Sequence, residues 1–139
     1  MIKLIKSIQK RPINIILMVM VLAAYFVNNK FLKIYTNGNV RLFFICYFND
    51  LICPLFFFSY ANMLLNTVDK EINRIWAICL VSLCTSCVWE FVAPFIKPSS
   101  ITDPLDIVCY MTGGIMYWAI LRCIKIRTKN TGVICDVEG

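Results

Sequence analysis

Histidine is absent from all 139 residues, and charge is scarce: Asp, Glu, Lys and Arg make up 16% of the chain, against roughly 25% in ordinary soluble domains. Without imidazole, the usual general base and the commonest zinc ligand are both missing. No P-loop, G-x-S-x-G or dinucleotide fingerprint is present either. Any catalysis would therefore run on Asp and Glu. No cofactor is called for; a divalent cation held by oxygen ligands is the open alternative. Long polar stretches are also lacking, so nothing is left over for a separate soluble domain. Residues 1–139 read as one integral-membrane domain.

What remains is apolar, 60% of the residues. Four runs are candidate spans, 13–35, 42–65, 75–96 and 105–124, followed by a basic tail, 125–139. The last three each reach the roughly 20 residues that a helix needs to cross a bilayer. In the first, the strictly apolar part ends at Val27, about 22 Å along a helix, so Asn28, Asn29 and Lys30 are expected at the interface. The fold class is all-α: a four-transmembrane-helix bundle with short loops, sequence neighbours pairing as antiparallel hairpins. The tail after Lys129 is polar and is expected to be poorly ordered.

The net charge of +6 raises nucleic acid as a partner, but the basic residues flank the spans. Anionic membrane lipid is the simpler partner there, and no nucleic acid is expected. Lys3, Lys6, Lys10, Arg11, Lys70, Arg74, Arg122, Lys125, Arg127 and Lys129 fall on one side of the bundle. Lys30, Lys33, Arg41 and Lys97 fall on the other. The asymmetry predicts a multi-pass plasma-membrane protein with both termini cytoplasmic. Met1, Leu4, Ile5 and Ile8 against Lys3, Lys6 and Lys10 read as a short amphipathic surface helix. The competing reading is a cleaved signal peptide, but no small-residue cleavage site follows Val27.

Against this background the acids stand out. Asp50 and Glu90 lie inside spans, and Asp103 and Asp106 open the last one. Ionisable groups within spans are costly and mark functional sites. The topology puts Asp50 about 13 Å below Arg41 and Glu90 about 10 Å below Lys97, all four acids thus in the outer half of the bilayer. Glu90, Asp50 and Asp106 are the candidate catalytic acids of an outward pocket; Asn49, Asp103, Lys97 and Tyr110 are its candidate substrate-binding groups.

Simpler roles compete at each position. Asp103-Pro104-Leu105-Asp106 has the form of a helix start, with Asp as cap and Pro at the first helical position. A buried Glu90 can serve as a hydrogen-bond partner of Trp89, Ser86 or a neighbouring helix, and Asp50 beside Asn49 as an interhelical polar contact. Pro54 and Pro94 each lie four residues after an acid. Each removes a helical bond to the carbonyl of that acid, which predicts kinks at Asp50 and Glu90. Of the eight cysteines, seven fall within spans, where Cys packs as a small apolar residue. Cys84-x-x-Cys87 has no second pair, and Cys135 in the tail is a site for acylation at most. Gly113-Gly114 gives the last span a close-packing surface.

Glu90, then Lys97-Pro98-Ser99-Ser100, Asp103-x-x-Asp106 and Gly113-Gly114, resembles the second half of VanZ-like membrane proteins. Asp50 followed by Tyr60 is similar to that family's Asp…Tyr segment, so the resemblance covers roughly 50–120. The chain departs from the pattern at Ala93, Ser100 and Tyr110, where it expects Gln, Arg and Asn, and lacks the His after the first Asp. The resemblance implies association with the bacterial cell envelope and low-level resistance to glycopeptide antibiotics, with no settled reaction.

Two functions follow. One is an envelope protein whose acidic pocket binds, and in one version modifies or moves, a lipid head group or a lipid-linked cell-wall precursor. The other is a non-catalytic membrane partner or immunity-type protein whose acids are interhelical contacts. A small proton- or cation-coupled transporter is a third, which a single four-helix bundle leaves little room for unless it oligomerises.

Overall fold

The computed structural model describes residues 12–96 and 103–135, with side chains for 12–92 and 103–126. Every regular element among them is helical. Helix α1, Ile13–Val27, runs into a π-helical turn, Asn28–Leu32, and a last α turn, Lys33–Tyr35. Then come α2, Gly38–Cys46; α3, Phe48–Leu65, with a 3-10 turn at Asn66–Val68; α4, Ile75–Ile96; and α5, Pro104–Cys135. Four helical stretches are long and apolar enough to cross a membrane: Ile13–Tyr35, Gly38–Val68, Ile75–Val92 and Pro104–Ile126. The expected all-α bundle with four spans is what the chain forms.

Two features differ from the sequence expectation. The second span is interrupted at Tyr47, between α2 and α3, while α3 continues unbroken through Pro54. Asp50 therefore stands in the first turn of a new helix. The Phe44 carbonyl beside this break accepts a hydrogen bond from the buried Asn28 amide, which also donates to Asn49 Oδ1, both at 3.0 Å. The wide π turn begins at Asn28, which is fully buried against these partners. Beyond the apolar stretch, the backbone of α5 runs on as helix to Cys135.

The second difference is one of neighbours. Helices α1 and α3 pack together, as do α4 and α5, but α3 and α4 do not pair along their length; α5 lies between them. The hairpin expected for the second and third spans is thus replaced by the order α1, α3, α5, α4. Gly113 and Gly114 explain the insertion. A Cβ at Gly113 would collide with the Leu51 carbonyl of α3, and one at Gly114 with the Ser82 hydroxyl of α4. Adjacent glycines lie about 100° apart around a helix, so one serves each flank. In lipid, where apolar surface has no water to escape, such close approach is a main source of helix association.

The core, Leu17, Val21, Leu55, Phe58, Ile78, Tyr117 and Leu121, draws on all four spans. Phe58 stacks on Tyr117 with centroids 5.6 Å apart. One turn along α3, Asn62 donates to the same tyrosine's hydroxyl at 2.8 Å, and that hydroxyl donates to Asn14 Oδ1 at 3.2 Å. Asn62 also brackets Ile72 of the 66–74 loop, donating to its carbonyl at 3.0 Å and accepting from its N–H at 2.7 Å. Loop backbone near a bilayer must find such partners within the protein. One buried side chain thereby ties α1, α3, α5 and the loop together.

Candidate functional site

The acids meet at the opposite end of the bundle from Asn62, around the N-terminus of α5. Asp103 caps that helix as its sequence predicts: Oδ1 accepts from Leu105 N at 3.0 Å. Its other oxygen, Oδ2, accepts from the Tyr47 hydroxyl at 2.9 Å, pinning the break between α2 and α3 to the start of α5. Glu90, on α4, accepts from Asp103 N through Oε2 at 3.1 Å. Only 9% of its surface is exposed. A carboxylate beside the free N–H groups of a helix start sits in a favourable field. Glu90 therefore holds α4 against α5, the neighbouring-helix role set out above.

Asp106, in the first turn of α5, is within hydrogen-bonding reach of Glu90, and Asp50 lies in the electrostatic field of both. One Asp106 oxygen, Oδ1, is buried with no hydrogen-bond partner. Asp50 accepts no hydrogen bond from any described residue and borders a largely apolar groove of about 330 Å³ between α1 and α3, with Val21, Tyr25 and Phe56. Tyr110, buried on α5, lies beside Cys53 of α3, and both line a second apolar cleft, about 310 Å³, between α3 and α4 with Pro54 and Trp89.

The sequence-derived site is thus brought together in part. Glu90, Asp103, Asp106 and Asp50 share one end of the bundle, with α5 carrying the link between α3 and α4. Asn49 is engaged by Asn28. Tyr110 lies one turn deeper than Asp106, and Tyr60 is exposed. Lys97 lies outside the described residues. Among the described residues, no group of three or more Cys, Asp or Glu is arranged to hold a metal ion. Cys84 is exposed, and Cys87 lies half-buried. Sequence reasoning missed Tyr47 altogether; a tyrosine in an apolar run gives no hint of a partner 56 residues away.

Chemically, the end of the bundle divides its acids in two. Glu90 and Asp103 are committed to the helix start, while Asp50, on an apolar groove, and Asp106, with its unpartnered Oδ1, retain acceptor capacity. Carboxylates with free lone pairs beside apolar walls accept hydrogen bonds from hydroxyl or ammonium donors. No family model, curated protein sequence or solved structure matches the chain.

Proposed function

We propose that the protein is a small VanZ-like component of the bacterial cell envelope whose acidic end receives the head group of a lipid or lipid-linked wall precursor. The observation that carries this reading is the convergence of Asp50, Glu90 and Asp106 from three helices, with Asp50 lining an apolar groove between α1 and α3. Head-group hydroxyls or an ammonium would donate to Asp50 and Asp106, with acyl chains lying along the groove. The charge asymmetry argues for this end facing outward with both termini cytoplasmic in the plasma membrane. A modest contribution to glycopeptide resistance is the phenotype that the resemblance leads us to look for.

A second reading is favoured by specific contacts. Glu90 and Asp103 already have structural partners, as expected for a non-catalytic membrane partner whose acids join helices. The two readings separate on Asp50 and Asp106. A strain lacking the protein, exposed to a glycopeptide antibiotic, is complemented with Asp50→Asn and Asp106→Asn, and the melting of each variant is followed in detergent. Loss of complementation with an unchanged melt supports the pocket; full complementation by both variants supports the structural partner.

A further inference from the structure

The other end of α5 carries a different chemistry. A pocket of about 210 Å³ opens there, lined by Asn73, Trp118, Leu121, Arg122 and Lys125. From Pro104 to Arg122 the helix rises about 27 Å, close to the roughly 30 Å of a hydrocarbon core. With the start of α5 at one membrane boundary, Arg122 and Lys125 arrive at the opposite one, where lipid phosphates lie. Because α5 continues to Cys135, neither cation is there to satisfy terminal carbonyls. Capping does not explain them.

The Arg122 guanidinium lies over the Trp118 ring, 5.1 Å from its centroid. Stacking of this kind leaves the N–H edge of the fork free for an acceptor. Among the described residues no carboxylate pairs with Arg122. Lys125 is held at 3.0 Å by Glu71, yet an ammonium has three donors and this contact uses one. The Asn73 amide adds a neutral donor from the loop side. Donors of Asn73, Arg122 and Lys125 lining one pocket, an Arg122 fork with no carboxylate partner among the described residues and the apolar Leu121 match a phosphodiester with an acyl chain beside it.

We infer that this pocket is a specific site for the phosphate head group of an anionic phospholipid, separate from the acidic end and independent of what that end does. The lipid source follows from the depth of the pocket at the membrane boundary and from its charge.

The test uses the full-length protein in detergent, incubated with phosphatidylglycerol or phosphatidylcholine and examined by native mass spectrometry for retained lipid. Wild type should retain phosphatidylglycerol preferentially. Arg122→Gln should lower that preference by about five-fold, the scale of one cation at a lipid surface, with Arg122→Lys in between because it keeps charge and loses the fork. Lys30→Gln, the same charge change at the other end, should leave the preference intact. If Arg122→Gln does not fold, Asn73→Ala decides, since it leaves α5 untouched and should also weaken retention. Equal preference in wild type and the folded pocket variant overturns the proposal. So does displacement of the lipid by millimolar inorganic phosphate, which would make the pocket a soluble-anion site.

Discussion

Glu90 and Asp50, both acids within spans, have different expected tolerances. Glu90→Gln keeps an oxygen for Asp103 N and removes a charge from a crowd of carboxylates, so its melting temperature in detergent should equal or slightly exceed that of wild type. Glu90→Ala leaves the Asp103 N–H without its partner and should cost about 1–2 kcal/mol, measurable by chemical or thermal unfolding. Asp50→Asn gives up no hydrogen bond to a described residue and should also melt normally. A lowered melt for Asp50→Asn and Glu90→Gln together would mark both carboxylates as structural. At the basic end, Tyr117→Phe keeps the stack on Phe58 but strands Asn14 and weakens the hold on Asn62. The expected loss is about 1 kcal/mol, within the range for interhelical hydrogen bonds in membranes. Sequence made Asp103 legible because D-P-x-D is a local pattern. Asn14, Asn28 and Asn62 were not legible: a lone amide in an apolar run reveals burial only once its partner, on another helix, is known.

For whole helices, the paired glycines set the arrangement. Gly113→Ala drives a methyl at a backbone carbonyl and the Pro54 ring, neither of which can step aside. Gly114→Ala meets a serine hydroxyl, a side chain that can be removed. Overpacking of this kind costs about 1–3 kcal/mol, and Gly113→Ala should be the worse of the two. Adding Ser82→Ala should recover part of the loss in Gly114→Ala and none in Gly113→Ala; equal rescue of both would refute separate glycine faces. Hydropathy made the four spans legible, since length and apolarity are properties of each run alone. Which helices touch was not, because lipid-facing and helix-facing surfaces are equally apolar. Gly113-Gly114 marked a close contact, but only coordinates reveal that it has two sides. The break at Tyr47 was likewise hidden, as Pro54 was the more obvious breaker.

For the whole molecule, orientation is the property that decides which compartment each end serves. On a cysteine-free background, a cysteine at position 99 should react with an impermeant maleimide added to intact cells, and one at position 67 should not. The reverse result would turn the acidic end toward the cytoplasm and remove the case for an external head group. No more than 28% of any spanning window is buried within the bundle, so most of the helical surface is left to lipid or to other subunits. Cross-linking in native membranes should therefore distinguish a monomer from an assembly without disturbing the core.

The position of α5 between α3 and α4 also bears on how the protein is made. A ribosome delivers α5 after the other three spans, yet α4 has its main packing partner in α5 and little contact with the helices already inserted. Until α5 emerges, α4 waits in the bilayer without its main partner, and Asn62 and the 66–74 loop lack the Tyr117 hydroxyl. Closure of the bundle is therefore gated by the emergence of α5. A nascent chain arrested before Pro104 would present quality-control proteases with a helix short of its main partner, whereas one arrested beyond Lys125 already holds the glycine contacts, the Tyr117 hydroxyl and the ion pair to Glu71.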